Sequence, residues 1–273
     1  MAEGDRSAGA RRARLMGVVN VTPDSFSDGG LFLDPERAIG HGAELAEAGA
    51  DILDVGGEST RPGAEGVSAE EELARVLPVL EGLGDRRAEL SIDTSKAPVA
   101  AAAIDAGAAI VNDVTAFRGD SEMAALCGEH EVEVVLMHML GTPRTMQVDP
   151  AYDDVVDEVK AVLAERIELA VAAGVSEERI WVDPGIGFGK TLEHNLQLLA
   201  RLGELRELGR PIVVGTSRKS FIGKIDGSPV EERLGGTIAS SVIALAGGAE
   251  MLRVHDVAEV AEAVRVAEAI LTA

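Results

Sequence analysis

The chain alternates between short, nearly continuous hydrophobic runs and longer stretches rich in Ala, Leu and Glu. Runs that are apolar at consecutive positions, rather than at every second one, are typical of parallel strands covered on both faces. We expect one buried strand for each of about eight runs. The runs are LMGVVN (15–20), DILDVGG (51–57), ELSIDTS (89–95), AIVNDV (109–114), VEVVLMH (132–138), RIWVDPG (179–185), PIVVGTS (211–217) and EMLRVHD (250–256).

The stretches between these runs have helical spacing, since Leu and Ala recur at intervals of three and four residues with charged residues between them. Several end in a glycine just before the next run, which is a common stop signal past a helix C-terminus. The clearest helical stretches are 35–50, 70–83, 154–174, 195–209 and 257–273. The glycines are Gly49, Gly107, Gly174, Gly209 and Gly248.

Alternating strand and helix units predict a parallel sheet with helices packed against it. About eight units within residues 14–273 match the size of a (β/α)8 TIM barrel, and their even spacing favours a closed barrel over a doubly wound sheet. No linker or composition break interrupts that range. The sequence therefore predicts a single α/β domain, preceded by a disordered N-terminal tail over residues 1–13.

The chain is strongly acidic. It has 25 Lys and Arg against 47 Asp and Glu, with a net charge of −22, so its surface repels nucleic acid and anionic membranes. Its one cysteine, Cys127, excludes a disulfide framework and a Cys-rich zinc site. No apolar run approaches the roughly 18 residues of a membrane span, and the first residues lack the apolar core of a secretory signal. We therefore expect a cytoplasmic protein.

Polar side chains stand at the ends of nearly all the predicted strands. In a (β/α)8 barrel these ends meet at one rim, where active sites are built. Any one of them can be a helix cap or a turn residue, but caps do not require His138, Arg253 or His255. We therefore expect an active site at this rim. The strand-end residues are Asn20, Glu58, Asp93, Asn112, Asp113, His138, Asp183, Ser217, Arg253 and His255.

Two loops and a set of cations near the strand ends point to an anionic substrate. The loops NVTPDSFSDGG (20–30) and GGESTRPGAEGVS (56–68) are longer than a barrel connection requires, which is typical of functional lids. Arg253 and a protonated His255 offer donors for a phosphate. Four of the five lysines also lie at or near strand ends, which predicts a positive cluster there. They are Lys96, Lys190, Lys219 and Lys224.

Three strand-end residues point to a nitrogen heterocycle as the ligand. Asp93 and Asp183 can accept paired N–H bonds from an amino-pyrimidine edge, and Asn112 can donate and accept at the same ring. The glycines of DPGIGFGKT (183–191) allow a flat ligand to approach the backbone closely, with Phe188 available to pack against it.

Eight segments of the chain match one known family in residues and in order. The chain resembles the dihydropteroate synthases, folate-pathway enzymes that join a pterin to 4-aminobenzoate, and the resemblance covers about residues 14–273. No functional position departs from the family pattern. The segments are MGVVNVTPDSFSDGG, DILDVGGESTRPGA, SIDTSK, VNDV, LMHMLGTPRTMQ, DPGIGFGKT, VGTSRKSFIG and RVHDV.

The resemblance implies a role for individual residues. The catalytic residues would be Asp93, Asn112, Asp183 and Lys219. The pterin and its diphosphate would bind these four together with Thr60, Met137, Phe188, Gly215, Arg253 and His255. The 4-aminobenzoate pocket would be formed by Phe26, Arg61, Pro62, Lys219 and Ser220. Asn20, together with the diphosphate, would coordinate Mg²⁺.

The resemblance also implies the reaction. (7,8-Dihydropterin-6-yl)methyl diphosphate and 4-aminobenzoate would give 7,8-dihydropteroate and diphosphate. The diphosphate would leave with the help of Mg²⁺, Arg253 and His255, and the amine would attack a ring-stabilised cation that Asp93 and Asp183 stabilise. The family further implies a homodimer formed through the later helices, and inhibition by sulfonamides, which mimic 4-aminobenzoate.

Two alternatives share the pterin platform. A methyltetrahydrofolate-dependent methyltransferase would use the ring-binding Asp and Asn residues, but it has no need of a diphosphate clamp such as Arg253 and His255. A non-catalytic pterin-binding paralogue could retain the fold with decayed loops, whereas both loops here are intact. The residues of the site decide between these activities, because the fold alone does not.

Overall fold

A computed structural model describes residues 12–22, 34–61, 63–84 and 86–273. Eight parallel strands form one sheet in the order β6-β5-β4-β3-β2-β1-β8-β7, and a bridge between Val182 and Ile212 joins its two ends. The predicted (β/α)8 barrel is confirmed. The strands are β1 (Arg14–Asn20), β2 (Ile52–Gly56), β3 (Glu89–Asp93), β4 (Ala108–Asp113), β5 (Glu133–Met137), β6 (Ile180–Asp183), β7 (Val213–Val214) and β8 (Met251–Val254).

Helices follow the strands and surround the barrel. All five predicted stop glycines have positive φ angles, which glycine adopts at little steric cost. The helices are α1 (Pro35–Glu47), α2 (Ala69–Leu83), α3 (Ala97–Asp105), α4 (Met123–Glu129), α5 (Val155–Ala172), α6 (Leu192–Ala200), α7 (Ser220–Asp226), α8 (Leu234–Ala246) and α9 (Val257–Leu271).

One predicted helix is divided in two. The sequence predicts a continuous helix over 195–209, but α6 ends at Ala200 and a 3₁₀ helix spans Leu202–Leu208. Arg201 leaves the helical conformation and pairs with Asp154 and Glu204. Gly203 follows in the chain, and glycine is a poor residue for a helix interior.

The barrel interior has an apolar floor and a polar upper layer. Six buried side chains fill the lower layer: Met16, Ile52, Ile110, Val135, Val213 and Met251. Because side chains alternate along a strand, the next inward positions on β2, β4 and β8 are Asp54, Asn112 and Arg253. The change from apolar to polar residues inside the barrel therefore places the polar groups below the rim.

The first described residues contact the barrel. Ala13 is buried, and its backbone N–H donates to Glu268, while Arg12 pairs with Asp51. The rest of the predicted tail, residues 1–11, lies outside the described residues. Within the described part of the chain, no helix is both long and apolar enough to cross a membrane.

Candidate active site

The strand ends surround a cavity of about 470 Å³. Every described residue to which the family resemblance gives a role lines it, whereas Phe26 and Pro62 lie outside the described residues. Of the strand-end residues predicted at the rim, Asp113 and His138 do not line it. The structure thus brings together the following predicted residues: Asn20, Thr60, Arg61, Asp93, Asn112, Met137, Asp183, Phe188, Gly215, Lys219, Ser220, Arg253 and His255.

An arginine and two carboxylates form the centre of the site. The Arg253 guanidinium donates from Nε to Asp54 Oδ2 at 2.7 Å and from Nη2 to Asp93 Oδ2 at 2.8 Å. Arginine has more N–H donors than these two bonds use. Arg253 can therefore hold the two carboxylates and still present donors to an anion in the cavity.

Asp54 is a residue that the sequence analysis missed. It is fully buried and accepts hydrogen bonds from Ser91 Oγ (2.6 Å) and Asn112 Nδ2 (2.9 Å) as well as from Arg253. Asp54 therefore fixes the orientation of the Asn112 amide and of the Arg253 side chain. The signal was a carboxylate inside the apolar run DILDVGG, at an inward position two residues after Ile52.

The position of Asp93 gives it unusual acid–base behaviour. Burial raises the pKa of Asp93 from 3.8 to about 7; Arg253 opposes this shift, and the nearby carboxylates of Asp54, Glu72 and Asp113 add to it. A group with such a pKa changes its charge near neutral pH. Its ionised form has Arg253 as an ion-pair partner.

A second group of residues forms one wall of the cavity. Asp183 Oδ1 accepts the N–H of Gly185 at 2.6 Å, and Lys219 Nζ donates to the Ile186 carbonyl and lies 4.9 Å from the centre of the Phe188 ring. Burial lowers the pKa of Lys219 to about 8, although Asp183 partly offsets this effect. Lys219 is thus a donor whose charge Asp183 stabilises. Met137 pairs with Asp183 in the sheet register.

The surroundings of His255 favour its neutral form, whereas the sequence analysis used the imidazolium. Burial, with Arg253 and Arg218 nearby, lowers the pKa of His255 to about 3. Its backbone N–H donates to Ser217 Oγ at 3.1 Å, and its Nδ1 lies 3.0 Å from the same oxygen. The Ser217 hydroxyl can then donate to Nδ1, which leaves the ring proton on Nε2 as a neutral donor.

The loop between β7 and α7 is fixed by side chains that were not among the predicted site residues. Arg218 has a positive φ of 55°, and its Nε donates to Asp256 at 3.0 Å. Arg233 Nη1 donates to the Arg218 carbonyl at 3.0 Å. Arg218 and Arg233 also line the cavity. These contacts position Lys219 and Ser220 at the start of α7.

The predicted cluster of four lysines at the anion site is wrong. Of the four, only Lys219 lines the cavity described by the structure. Lys96 Nζ instead pairs with Glu58 at 2.6 Å and with the fully buried Glu72 at 2.5 Å. Glu58 in turn accepts the backbone N–H of Val67 at 3.1 Å. Lys96 therefore anchors the base of the β2–α2 loop, because a buried carboxylate requires a partner.

The residues near Asn20 fit a magnesium ion that arrives with the substrate. Among the described residues, no three His, Cys, Asp or Glu side chains come together as metal ligands. Asn20, at the end of β1, lines the cavity and carries one amide oxygen as a possible ligand. Mg²⁺ is commonly held by one or two protein oxygens together with substrate phosphates and water. The donor set therefore suits a diphosphate-bound ion.

The two predicted lid loops differ in how much of them the structure describes. Of the first, only residues 20–22 fall within the described part of the chain. In the second, the Gly63 N–H donates to the Pro143 carbonyl at 3.1 Å, and Thr60 and Arg61 line the cavity. The second loop therefore contributes directly to the site.

Known proteins with a similar sequence and fold are pterin enzymes. A family model described as pterin binding enzyme matches residues 16–255. The dihydropteroate synthase of Escherichia coli strain K12 is 50% identical over 262 residues, which cover 95% of this chain and 92% of the relative. The sequence and the relative thus match over nearly their full lengths.

Two solved structures extend this similarity to the fold. Yersinia pestis dihydropteroate synthase in a sulfonamide drug complex has a TM-score of 0.93 at 44% identity, covering 96% of this chain and 95% of that one. Xanthomonas albilineans dihydropteroate synthase in complex with 7,8-dihydropteroate has a TM-score of 0.86 at 46% identity, again covering 96% and 95%. This chain belongs to the dihydropteroate synthase family of pterin-binding enzymes.

Proposed function

We propose that the protein condenses (7,8-dihydropterin-6-yl)methyl diphosphate with 4-aminobenzoate to give 7,8-dihydropteroate and diphosphate. One observation carries this proposal. A single cavity holds three ring-recognition side chains, Asp93, Asn112 and Asp183, next to the anion-binding pair Arg253 and His255. A ring that carries a diphosphate requires this combination, whereas a methyl-transfer substrate has no use for the pair.

The ring-binding groups orient the pterin and stabilise its charge. Asp183 and Asn112 would bond its amino-pyrimidine edge, and Lys219 would donate to an acceptor of the same ring. When the bond between the methylene carbon and the diphosphate oxygen breaks, the positive charge spreads into the ring. The carboxylates of Asp93 and Asp183 would stabilise that charge from fixed positions, which is the most effective form of electrostatic catalysis.

The anion-binding groups act on the leaving diphosphate. Arg253 and the Nε2–H of His255 would donate to its oxygens, with Thr60 and Arg61 from the second loop completing the contacts. A Mg²⁺ ion bound to the diphosphate and Asn20 would neutralise the negative charge that develops on the leaving group. No residue of the chain has to form a covalent bond to the substrate.

The amine substrate completes the reaction. Ser220, at the start of α7, would hold the 4-aminobenzoate carboxylate, with Lys219 and Arg61 beside it. The amine nitrogen attacks the methylene carbon, forms the new C–N bond and then loses one proton to solvent. The second loop, which brings Thr60 and Arg61 to the cavity, would help to exclude water, which would otherwise trap the cation.

A release assay tests this function. Purified protein with pterin diphosphate and Mg²⁺ should release diphosphate only when 4-aminobenzoate is added, in step with dihydropteroate formation. Excess EDTA should abolish the release, because the leaving-group charge is then not neutralised. Tight pterin binding without release would instead identify the methyltransferase or the non-catalytic paralogue, and full activity in EDTA would remove Mg²⁺ from the mechanism.

We further propose that sulfonamides compete with 4-aminobenzoate for this cavity. The sulfonamide drug complex of the Yersinia pestis relative supports this proposal. A sulfonamide should raise the KM for 4-aminobenzoate without lowering kcat. A fall in kcat at saturating 4-aminobenzoate would place the drug elsewhere.

We also propose that the chain forms a homodimer through α8 and α9. Apolar side chains on these helices are exposed, among them Ile243 on α8 and Val266 and Ile270 on α9. Burial of such side chains in a symmetric interface stabilises a dimer. Sedimentation analysis should show a dimer for the unmodified protein and a monomer for Val266→Glu, whereas a monomer in both would exclude this interface.

A further inference from the structure

A lysine lies buried behind the cavity wall. Lys190 is only 1% exposed, and it does not line the cavity that the described residues form. An ammonium group in a protein interior is costly unless it is hydrogen-bonded. Its partners therefore indicate why the fold keeps it there.

Lys190 joins two segments of backbone. Its Nζ lies 2.9 Å from His138 Nδ1 and 3.0 Å from the Phe188 carbonyl oxygen, with the His138 carbonyl oxygen at 3.5 Å. Among the described residues, no carboxylate forms an ion pair with it. Burial lowers the pKa of Lys190 to about 7, and the Asp183 carboxylate opposes this shift. When Nζ is protonated it can only donate, so His138 Nδ1 accepts and the His138 ring proton lies on Nε2.

These two segments carry a wall of the cavity. The first segment is the end of β5 at Met137 with the residues up to 140, and the second is 185–189, which follows β6. Met137 and Phe188 line the cavity from these segments. The segments are in backbone contact, because a Cβ added to Gly185 would lie 1.9 Å from the His138 carbonyl oxygen. The Lys190 side chain therefore sits where any separation of the two segments would move the Phe188 ring.

The charge of Lys190 also acts on the site. Lys219, Lys190 and Arg253 are the cations that favour the ionised form of Asp183, against the effect of its burial. Lys219 and Arg253 line the cavity, whereas Lys190 acts from behind the wall. Burial still raises the pKa of Asp183 overall, so these cations reduce that rise rather than reverse it.

We propose that Lys190 is a positioning residue of the pterin slot. It bonds the strand-end segments through the His138 ring and the Phe188 carbonyl, and it holds the Phe188 ring at the slot. This inference rests on the proposed function, because the slot is the ring-binding part of that cavity. Lys190 itself touches no substrate, so its effect should fall on the pterin rather than on 4-aminobenzoate.

Two substitutions separate the hydrogen bonds from the charge. Lys190→Met removes both, whereas Lys190→Gln removes the charge but retains an amide donor. Calorimetry with pterin diphosphate should show binding weakened about 10-fold for Lys190→Met, which loses both short hydrogen bonds, and about 3-fold for Lys190→Gln, which keeps a donor. The KM for 4-aminobenzoate should stay within about 2-fold, because Lys190 acts on the ring wall only.

One variant controls for general damage, and another tests the same cavity wall independently. Lys160→Met removes a lysine that pairs with Glu207 on the surface and should leave both substrates unaffected. Tyr152→Phe deletes the bond from Tyr152 Oη to the Gly189 carbonyl at 2.8 Å without removing a buried charge. It should weaken pterin binding about 3-fold even if Lys190→Met fails to fold.

The outcomes are distinct. Selective loss of pterin affinity, with partial rescue by Lys190→Gln, supports the inference. Unchanged pterin affinity in Lys190→Gln and Tyr152→Phe, or an equal loss for both substrates, overturns it. If the unmodified protein binds no pterin diphosphate, the proposed function fails instead.

Discussion

Replacing Arg253 with alanine should reduce kcat/KM for pterin diphosphate by about 10³-fold, because one side chain both binds the leaving group and stabilises its developing charge. The same change should lower the free energy of unfolding by about 3 kcal/mol, since it leaves the buried carboxylates of Asp54 and Asp93 without their ion-pair partner. Steady-state kinetics with each substrate and urea denaturation measure the two effects.

The chain offers a matched control at the opposite end of the barrel. The Arg14 side chain is 23% exposed, as is that of Arg253, and it also pairs with two carboxylates, those of Glu89 and Glu133. Arg14→Ala should lose stability but keep the KM for pterin diphosphate. If Arg253→Ala instead weakens binding of diphosphate and 4-aminobenzoate equally, Arg253 does not clamp the leaving group.

Many site residues could be predicted because, in this fold, the residue at the carboxyl end of each strand lies at the same rim of the barrel. Each strand is recognisable from its apolar run, and parallel strands in a closed barrel end at one rim. Residues as distant in sequence as Asn20, Asp93 and His255 must therefore meet there. This inference needs no knowledge of side-chain contacts.

The partners of charged groups could not be predicted in the same way. A lysine near a strand end can face a substrate or a carboxylate, and the sequence does not distinguish the two. Lys96 pairs with Glu72 of α2. Lys190 lies outside the cavity lining and contacts the His138 ring. Asp54 was missed because the direction of a mid-strand side chain depends on the register of the sheet.

Activity should depend on the ionisation of Asp93. Since burial raises its pKa to about 7, kcat/KM for pterin diphosphate should rise with pH through that value as the carboxylate ionises and can stabilise the cation. Asp93→Asn should remove this acid limb and lower turnover about 10²-fold, because the amide carries no charge. Asp51→Asn makes the same change at the far end of β2 and should leave the pH profile intact.

The same shift gives stability the opposite pH dependence. A carboxyl group whose pKa rises from 3.8 to about 7 on folding binds its proton more tightly in the folded protein. It therefore stabilises the fold fully below the lower value, and this stabilisation is lost as the pH rises through the higher one. Activity from Asp93 thus increases over the pH range in which its contribution to stability declines.

Comparing the unmodified protein with Asp93→Asn isolates the contribution of Asp93 to stability, because all other groups titrate in both proteins. Between pH 4 and 7, the free energy of unfolding of the unmodified protein should decline relative to that of Asp93→Asn. Suppose instead that the difference in free energy of unfolding between the two proteins does not change with pH, and that Asp93→Asn keeps the acid limb of the activity profile. Asp93 would then already be ionised throughout this range. Arg253 would then outweigh burial, and the carboxylate would act as a fixed charge rather than a titrating one.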